Sequence, residues 1–251
     1  MQIRTGATAL RPGEKRHYRP QPRERNTPRS TTTAGGKLES TCPPTCMLDR
    51  RATALIQPAV DAIARRLVQG GMGASQITAA GLAIGLFAAF LIANNAYLTG
   101  ATAIFLSRTC DALDGAVARL TRPTDSGGFL DIAFDFIFYA SIPLAFAISQ
   151  PLQNALPAAV LLAAFVGTGS SFLACAVIAT KRGMLNLDYP NKSFYFLGGL
   201  TEATETLAFF AAMCWWPELF PELAYTFSAL CLITIVTRIW WGWHAFQDAP
   251  P

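Results

Sequence analysis

Four aspartates stand at helical spacing in a chain otherwise poor in charge. Asp111 and Asp114 are three residues apart and Asp131 and Asp135 four apart, so each pair shares one face of a helix. Both pairs lie in apolar sequence, where a carboxylate is costly unless it meets a partner. Two antiparallel helices joined by a short loop would bring all four together. Four anions in a low-dielectric site need a cation, and oxygen-only ligands select a hard divalent ion, magnesium or manganese. Four carboxylates are enough for two such ions. Arg119 is the one basic side chain counted as balancing them from within. On spacing alone a second chemistry stays open: carboxylates that relay protons or ions in a small membrane transporter.

The rest of the chain must supply those helices. Of its 251 residues, 52% are apolar and only 14% charged, against about a quarter charged in soluble domains. That balance argues against a soluble enzyme and against disorder over most of the chain. The basic residues are uneven, with 13 of the 20 Lys and Arg at or before Arg66. Anionic headgroups and the positive-inside rule explain this distribution without nucleic acid. Cys110, Cys175, Cys214 and Cys231 fall in apolar runs and act as small hydrophobes. Cys42 and Cys46 form a lone pair in a Pro-rich stretch, with no second pair to complete a metal site.

The fold expected is an all-α integral membrane protein with six transmembrane helices behind an interfacial amphipathic helix. Residues 1–46 are too poor in bulky apolar side chains to offset chain entropy, and are expected to be a disordered basic tail. They contain no apolar core of signal-peptide length, so the start of the chain is expected in the cytoplasm. Residues 47–251 then form the membrane domain. Its first helix is expected over Pro58 to Gln69, with Leu55, Ala59, Ile63 and Leu67 recurring along one stripe and Pro58 in the first turn. Six stretches of about spanning length follow, near Ile77–Tyr97, Gly100–Leu120, Gly127–Ser149, Ala155–Thr180, Phe194–Trp216 and Phe220–Phe246. Arg119, Arg122, Lys181, Arg182 and Lys192 lie in alternate loops, and the other loops carry no basic residue. Both termini and the carboxylates are therefore expected on the cytoplasmic side, in the inner or plasma membrane if the cell is bacterial.

The aspartates belong to a longer string, Asp111-Ala-Leu-Asp114-Gly115-Ala-Val-Ala118-Arg119, seven residues, then Gly127-Gly-Phe-Leu-Asp131-Ile-Ala-Phe-Asp135. This resembles the signature of the CDP-alcohol phosphatidyltransferases, D-x-x-D-G-x-x-A-R followed by G-x-x-x-D-x-x-x-D, with all eight fixed positions filled. The six-span layout and preceding amphipathic helix look like that family too. The resemblance implies a transferase that moves a phosphatidyl group from a CDP-linked lipid, CDP-diacylglycerol, to an acceptor alcohol with release of CMP. It implies that Asp111, Asp114 and Asp131 hold two divalent cations, with Asp135 as a further ligand and general base. Gly115 and Ala118 would leave room for the cytidine nucleotide, and Arg119 would contact the donor phosphates, a role that suits guanidinium geometry. Close helix packing is the other use of small residues such as Gly115 and Ala118. A homodimer among membrane lipids is implied as well.

One segment departs from the family pattern. Members often carry P-N-x-x-T before the first span, near the donor, and here the matching residues are Ala74-Ser75-Gln76-Ile77-Thr78, with only Thr78 kept. In branches whose acceptor is a phosphorylated polyol, such as glycerol 3-phosphate or inositol phosphate, basic residues on later spans hold the acceptor phosphate. The resemblance carries that role to Arg182, Lys192 and Arg238. Lys181, Arg182 and Lys192 serve equally as positive-inside anchors, whereas Arg238 lies within an apolar span. Glu202 and Glu205 are expected either to bind an acceptor or to pair with an arginine such as Arg108 or Arg238.

Overall fold

The computed structural model describes residues 44–182 and 203–247, with side chains from residue 57. All of the regular structure in these residues is helical. In chain order the helices are α1 (Pro44–Gln69), α2 (Ala74–Ala93), α3 (Tyr97–Leu120), α4 (Asp125–Ser149), α5 (Pro151–Lys181), α6 (Ala203–Trp215) and α7 (Phe220–Gln247). A single 3-10 turn, Pro217–Leu219, leads into α7.

Four segments are long and apolar enough to cross a membrane: Ala74–Ala93, Asp125–Ser149, Pro151–Lys181 and Pro217–Gln247. The other two expected spans fall short for different reasons. At 24 residues α3 has the length, but it carries Arg108, Asp111, Asp114 and Arg119. Only 13 residues of α6 are described, about 20 Å of helix, because the first part of that stretch lies outside the described residues.

The first helix differs from expectation at its start. It begins at Pro44 and not at Pro58, which stands inside it. Good helix formers such as Leu48, Arg50, Arg51 and Ala52 carry the helix upstream, so Pro58 is an internal proline and not a first-turn one. Of the stripe named from spacing, Ala59 and Ile63 are exposed. The packed stripe is Val60, Ala64, Leu67 and Val68, set against Ile77, Ala116 and Val117. Ala64 is fully buried there; its small side chain lets α1 lie close under the ends of α2 and α3.

Small residues also draw α2, α3 and α4 together. The Ser107 hydroxyl on α3 donates to the Gly81 carbonyl on α2 at 2.7 Å. A Cβ on Gly85 would stand 2.5 Å from the Phe138 ring of α4 and 3.0 Å from Ser107 Oγ. Only glycine permits that approach, a packing device common between membrane helices. Away from this seam the core is aromatic. Phe146 of α4 stacks on Phe220 of α7 at 4.5 Å, and Phe165 of α5 meets Phe227 of α7 edge-on. Leu86, Phe87, Phe90, Phe105, Leu232, Ile233 and Val236 face outward, as expected of helices with lipid for a solvent. The tryptophans collect at helix ends: Trp215 and Trp216 close α6, while Trp240 and Trp243 are exposed in the last turns of α7.

Candidate active site

Two helix ends position the four aspartates. In α3, Asp111 and Asp114 lie on the last turns before the chain leaves at Leu120. Thr124 restarts it, its hydroxyl accepting the Gly127 N–H at 3.1 Å as an N-cap. With α4 begun at Asp125, Asp131 and Asp135 fall in its early turns and face back toward α3. The four carboxylates expected together do converge, but not through a close-packed hairpin: α3 and α4 each pack against α2, and their side chains meet across it.

Asp111, Asp131 and Asp135 each present a carboxylate oxygen within 4.8 Å of the others. Asp114 is 6% exposed and lines the same cleft with Thr78. Its Oδ2 is buried without a hydrogen-bond partner among the described residues. An orphaned carboxylate oxygen beside three clustered carboxylates is the arrangement a hard divalent cation satisfies. The residues fit such an ion.

A further cation stands in the cleft. Arg108 Nη1 donates to Asp135 Oδ1 at 2.7 Å and lies 3.7 Å from Asp111 Oδ1. Its guanidinium carbon sits 3.9 Å over the centroid of the buried Phe138 ring. Arg119, counted from the sequence as the cation of the cluster, is exposed at the end of α3, and no ion pair joins it to the aspartates among the described residues. Arg108 takes that place because it precedes Asp111 by three residues and shares its face of α3. That spacing was visible in the sequence, where Arg108 was considered only as a partner for Glu202 or Glu205.

Of the residues assigned to the donor, Thr78 joins the aspartates, while its hydroxyl donates back to the Ala74 carbonyl. Gly115, Ala118 and Arg119 lie farther along α3. A Cβ on Gly115 would meet only the Arg119 guanidinium, at 3.5 Å. Close packing against another described helix therefore does not account for glycine there.

The residues assigned to the acceptor gather elsewhere. Arg238 is buried on α7, where Nη1 donates to the Thr168 carbonyl at 2.8 Å and approaches Ser171 Oγ at 3.3 Å. It lines a groove between α5 and α7 with Ser171, Cys175, Trp243 and Phe246. Arg182 ends α5 and donates to the Phe246 carbonyl. Neither arginine lines the aspartate cleft. Lys192 and Glu202 lie outside the described residues, as do residues 1–43 with Cys42.

A model of the family described as CDP-alcohol phosphatidyltransferase matches residues 72–241. "Inner membrane protein YnjF" of Escherichia coli K12 is 47% identical over 202 residues, covering 80% of this chain and 98% of that protein. Among solved structures, the fold is similar to that of phosphatidylinositol phosphate synthase (PgsA1) from Mycobacterium tuberculosis. The crystal structure with CDP-DAG bound gives a TM-score of 0.56 at 21% identity, covering 73% of this chain and 93% of that one. The complex with manganese and citrate gives 0.55, again at 21% identity, covering 73% and 88%.

Proposed function

The chain belongs to the CDP-alcohol phosphatidyltransferase family, and from that premise we propose that it transfers a phosphatidyl group from CDP-diacylglycerol to an acceptor alcohol, releasing CMP. The observation that carries this reading is the convergence of Asp111, Asp131 and Asp135 within 4.8 Å, with the buried, unpartnered Oδ2 of Asp114 in the same cleft. The donor of the solved relative, CDP-DAG, supports the choice of lipid. Six spans with both termini in the cytoplasm, an interfacial α1 and a homodimer complete the reading. The positive-inside pattern of the loops and the inner-membrane name of the bacterial relative support its placement.

Asp111, Asp114, Asp131 and Asp135 would hold two divalent cations, magnesium or manganese. When bound, such ions supply positive charge where negative charge gathers on a leaving phosphate. The chain's own groups do the rest. Arg108 engages Oδ1 of Asp135, so Oδ2 is the oxygen that takes the proton of the acceptor hydroxyl. The acceptor oxygen then bonds to the phosphorus carrying diacylglycerol, the bond from that phosphorus to CMP breaks, and CMP departs with the electron pair. Thr78, Gly115, Ala118 and Arg119 would hold the donor. Gly115 offers open backbone for the nucleotide, and the exposed Arg119 guanidinium stands beside it to meet phosphate oxygens.

The acceptor is proposed to be a phosphorylated polyol, such as glycerol 3-phosphate or inositol phosphate, whose phosphate meets Arg182, Lys192 and Arg238. The test is CMP release by the purified full chain given CDP-diacylglycerol, with phosphorylated and free alcohols offered in turn, with and without chelator. Release with a phosphorylated polyol, abolished by chelation, is expected. No release with any acceptor in saturating metal would overturn the transferase reading. A preference for a free alcohol such as serine would overturn only the acceptor.

A further inference from the structure

The guanidinium of Arg108 stands where little in the bundle lets it move. Its position on α3 follows Ser107, which is tied to α2 through the Gly81 carbonyl. Its flat face lies on Phe138, a ring with no exposed surface, so the platform itself is fixed by packing. An arginine free to do so would extend its head toward water. This side chain is 14% exposed and instead reaches two of the clustered carboxylates through one nitrogen, 2.7 Å from Asp135 and 3.7 Å from Asp111. A planar guanidinium held over an aromatic face is also more weakly hydrated than an ammonium, which favours this half-buried place.

We propose that Arg108 is a resident counter-cation at the Asp111–Asp135 side of the cluster, holding these two carboxylates together without metal and weakening their grip on a divalent ion. The inference rests on the metal-binding reading above and adds to it a residue of this chain. Two consequences follow from charge alone. An ion shared by Asp111 and Asp135 has to take its place against a fixed positive charge already bonded to one of the same oxygens. Without that ion, the guanidinium offsets repulsion between carboxylates that would otherwise face each other unpaired.

The experiment is a manganese titration of the full chain in detergent, following free Mn2+ by electron paramagnetic resonance, beside thermal unfolding with and without the ion. Arg108→Gln removes the charge and keeps a polar side chain; it is expected to bind Mn2+ about tenfold more tightly than wild type, the order expected for deleting one nearby like charge. It is also expected to unfold at lower temperature in chelator and to regain wild-type stability in saturating Mn2+. Arg108→Lys keeps the charge but is more hydrated and lacks the flat face, and is expected to tighten binding by a smaller factor, about threefold. Unchanged or weaker Mn2+ binding by Arg108→Gln overturns the proposal. If that variant does not fold, Arg108→Lys decides on the same criterion. A wild type that binds no Mn2+, Mg2+ or other divalent ion overturns this inference together with the metal reading, whereas wild-type binding that neither variant tightens overturns this inference alone.

Discussion

Two arginines stand inside apolar helices of this bundle, and they are accommodated differently. Arg108 on α3 meets carboxylates of Asp135 and Asp111 and stacks on Phe138. Arg238 on α7 meets the Thr168 carbonyl and the Ser171 hydroxyl of α5. The first region is built around charge, with anions and a cation converging from two helices. The second is a largely apolar groove with a guanidinium at its wall. Chemistry that handles phosphates and metal needs the first kind of site; a group that orients one end of a substrate can belong to the second. The two regions should therefore respond differently to substitution.

The largest expected effect is on the first region. Asp135→Asn keeps the shape of the side chain but cannot take up the acceptor proton, so turnover should fall about 100-fold or more while the protein still inserts and folds. Steady-state CMP release checks this, and residual turnover above about a tenth of wild type would remove Asp135 as the base. Next, Gly85→Val should destabilise the seam that holds the carboxylates by about 1–3 kcal/mol, because the new Cβ would stand 2.5 Å from Phe138. A lower Tm in saturating metal is the readout, and an unchanged Tm would show that α2 yields easily.

In the second region, Arg238→Gln should raise KM for a phosphorylated acceptor about tenfold, the usual loss for one charge-assisted hydrogen bond, with KM for the CDP-lipid nearly unchanged. A fall in stability that weakens both substrates alike would make Arg238 a structural link between α5 and α7, and the contrast between the two regions would then be one of chemistry against packing. The smallest effect belongs to the chain before α1. Removing residues 1–43 should leave specific activity within about twofold of wild type, since the aspartates and the residues packed around them all follow Pro44. A larger loss would tie that stretch to the site.

The reasons some of this was legible in the sequence, and some not, are physical. Spacings of three and four residues place side chains on one helical face whatever else the helix touches, so the aspartate pairs could be read directly, whereas the packing of both α3 and α4 on α2 could not. The family signature added roles to the same positions. Arg108 had the same local spacing to Asp111, but its stronger partner, Asp135, comes from another helix, and that pairing depends on how α3 and α4 are rotated against each other. Which residues of α1 pack was not legible, because Ala59–Ile63 and Val60–Ala64 both repeat every fourth residue; the second pair packs, with Ala64 fitted against Ile77, Ala116 and Val117. Arg238 has the Thr168 carbonyl as a partner, and a backbone carbonyl leaves no mark in a sequence. Proline at position 58 suggested a helix start that the good helix formers before it override.

The tryptophans at the two ends of α6 and α7 work as a depth gauge. Trp216 sits just before α7 begins at Phe220, and Trp240 lies 24 residues after Trp216, about 36 Å along a helix. That falls between the hydrocarbon layer, about 30 Å, and the full bilayer, about 40–45 Å, and indole rings settle in the interfaces between the two. Arg238 precedes Trp240 by two residues, about 3 Å of helix rise. If these tryptophans mark the two interfaces, the Arg238 guanidinium lies near one of them and not at the bilayer midplane, where a charge costs about 2.5 to 3.5 kcal/mol on translocon scales. A buried cation at that level would cost the bundle less than one at the midplane, and would lie within reach of groups that approach from the headgroups.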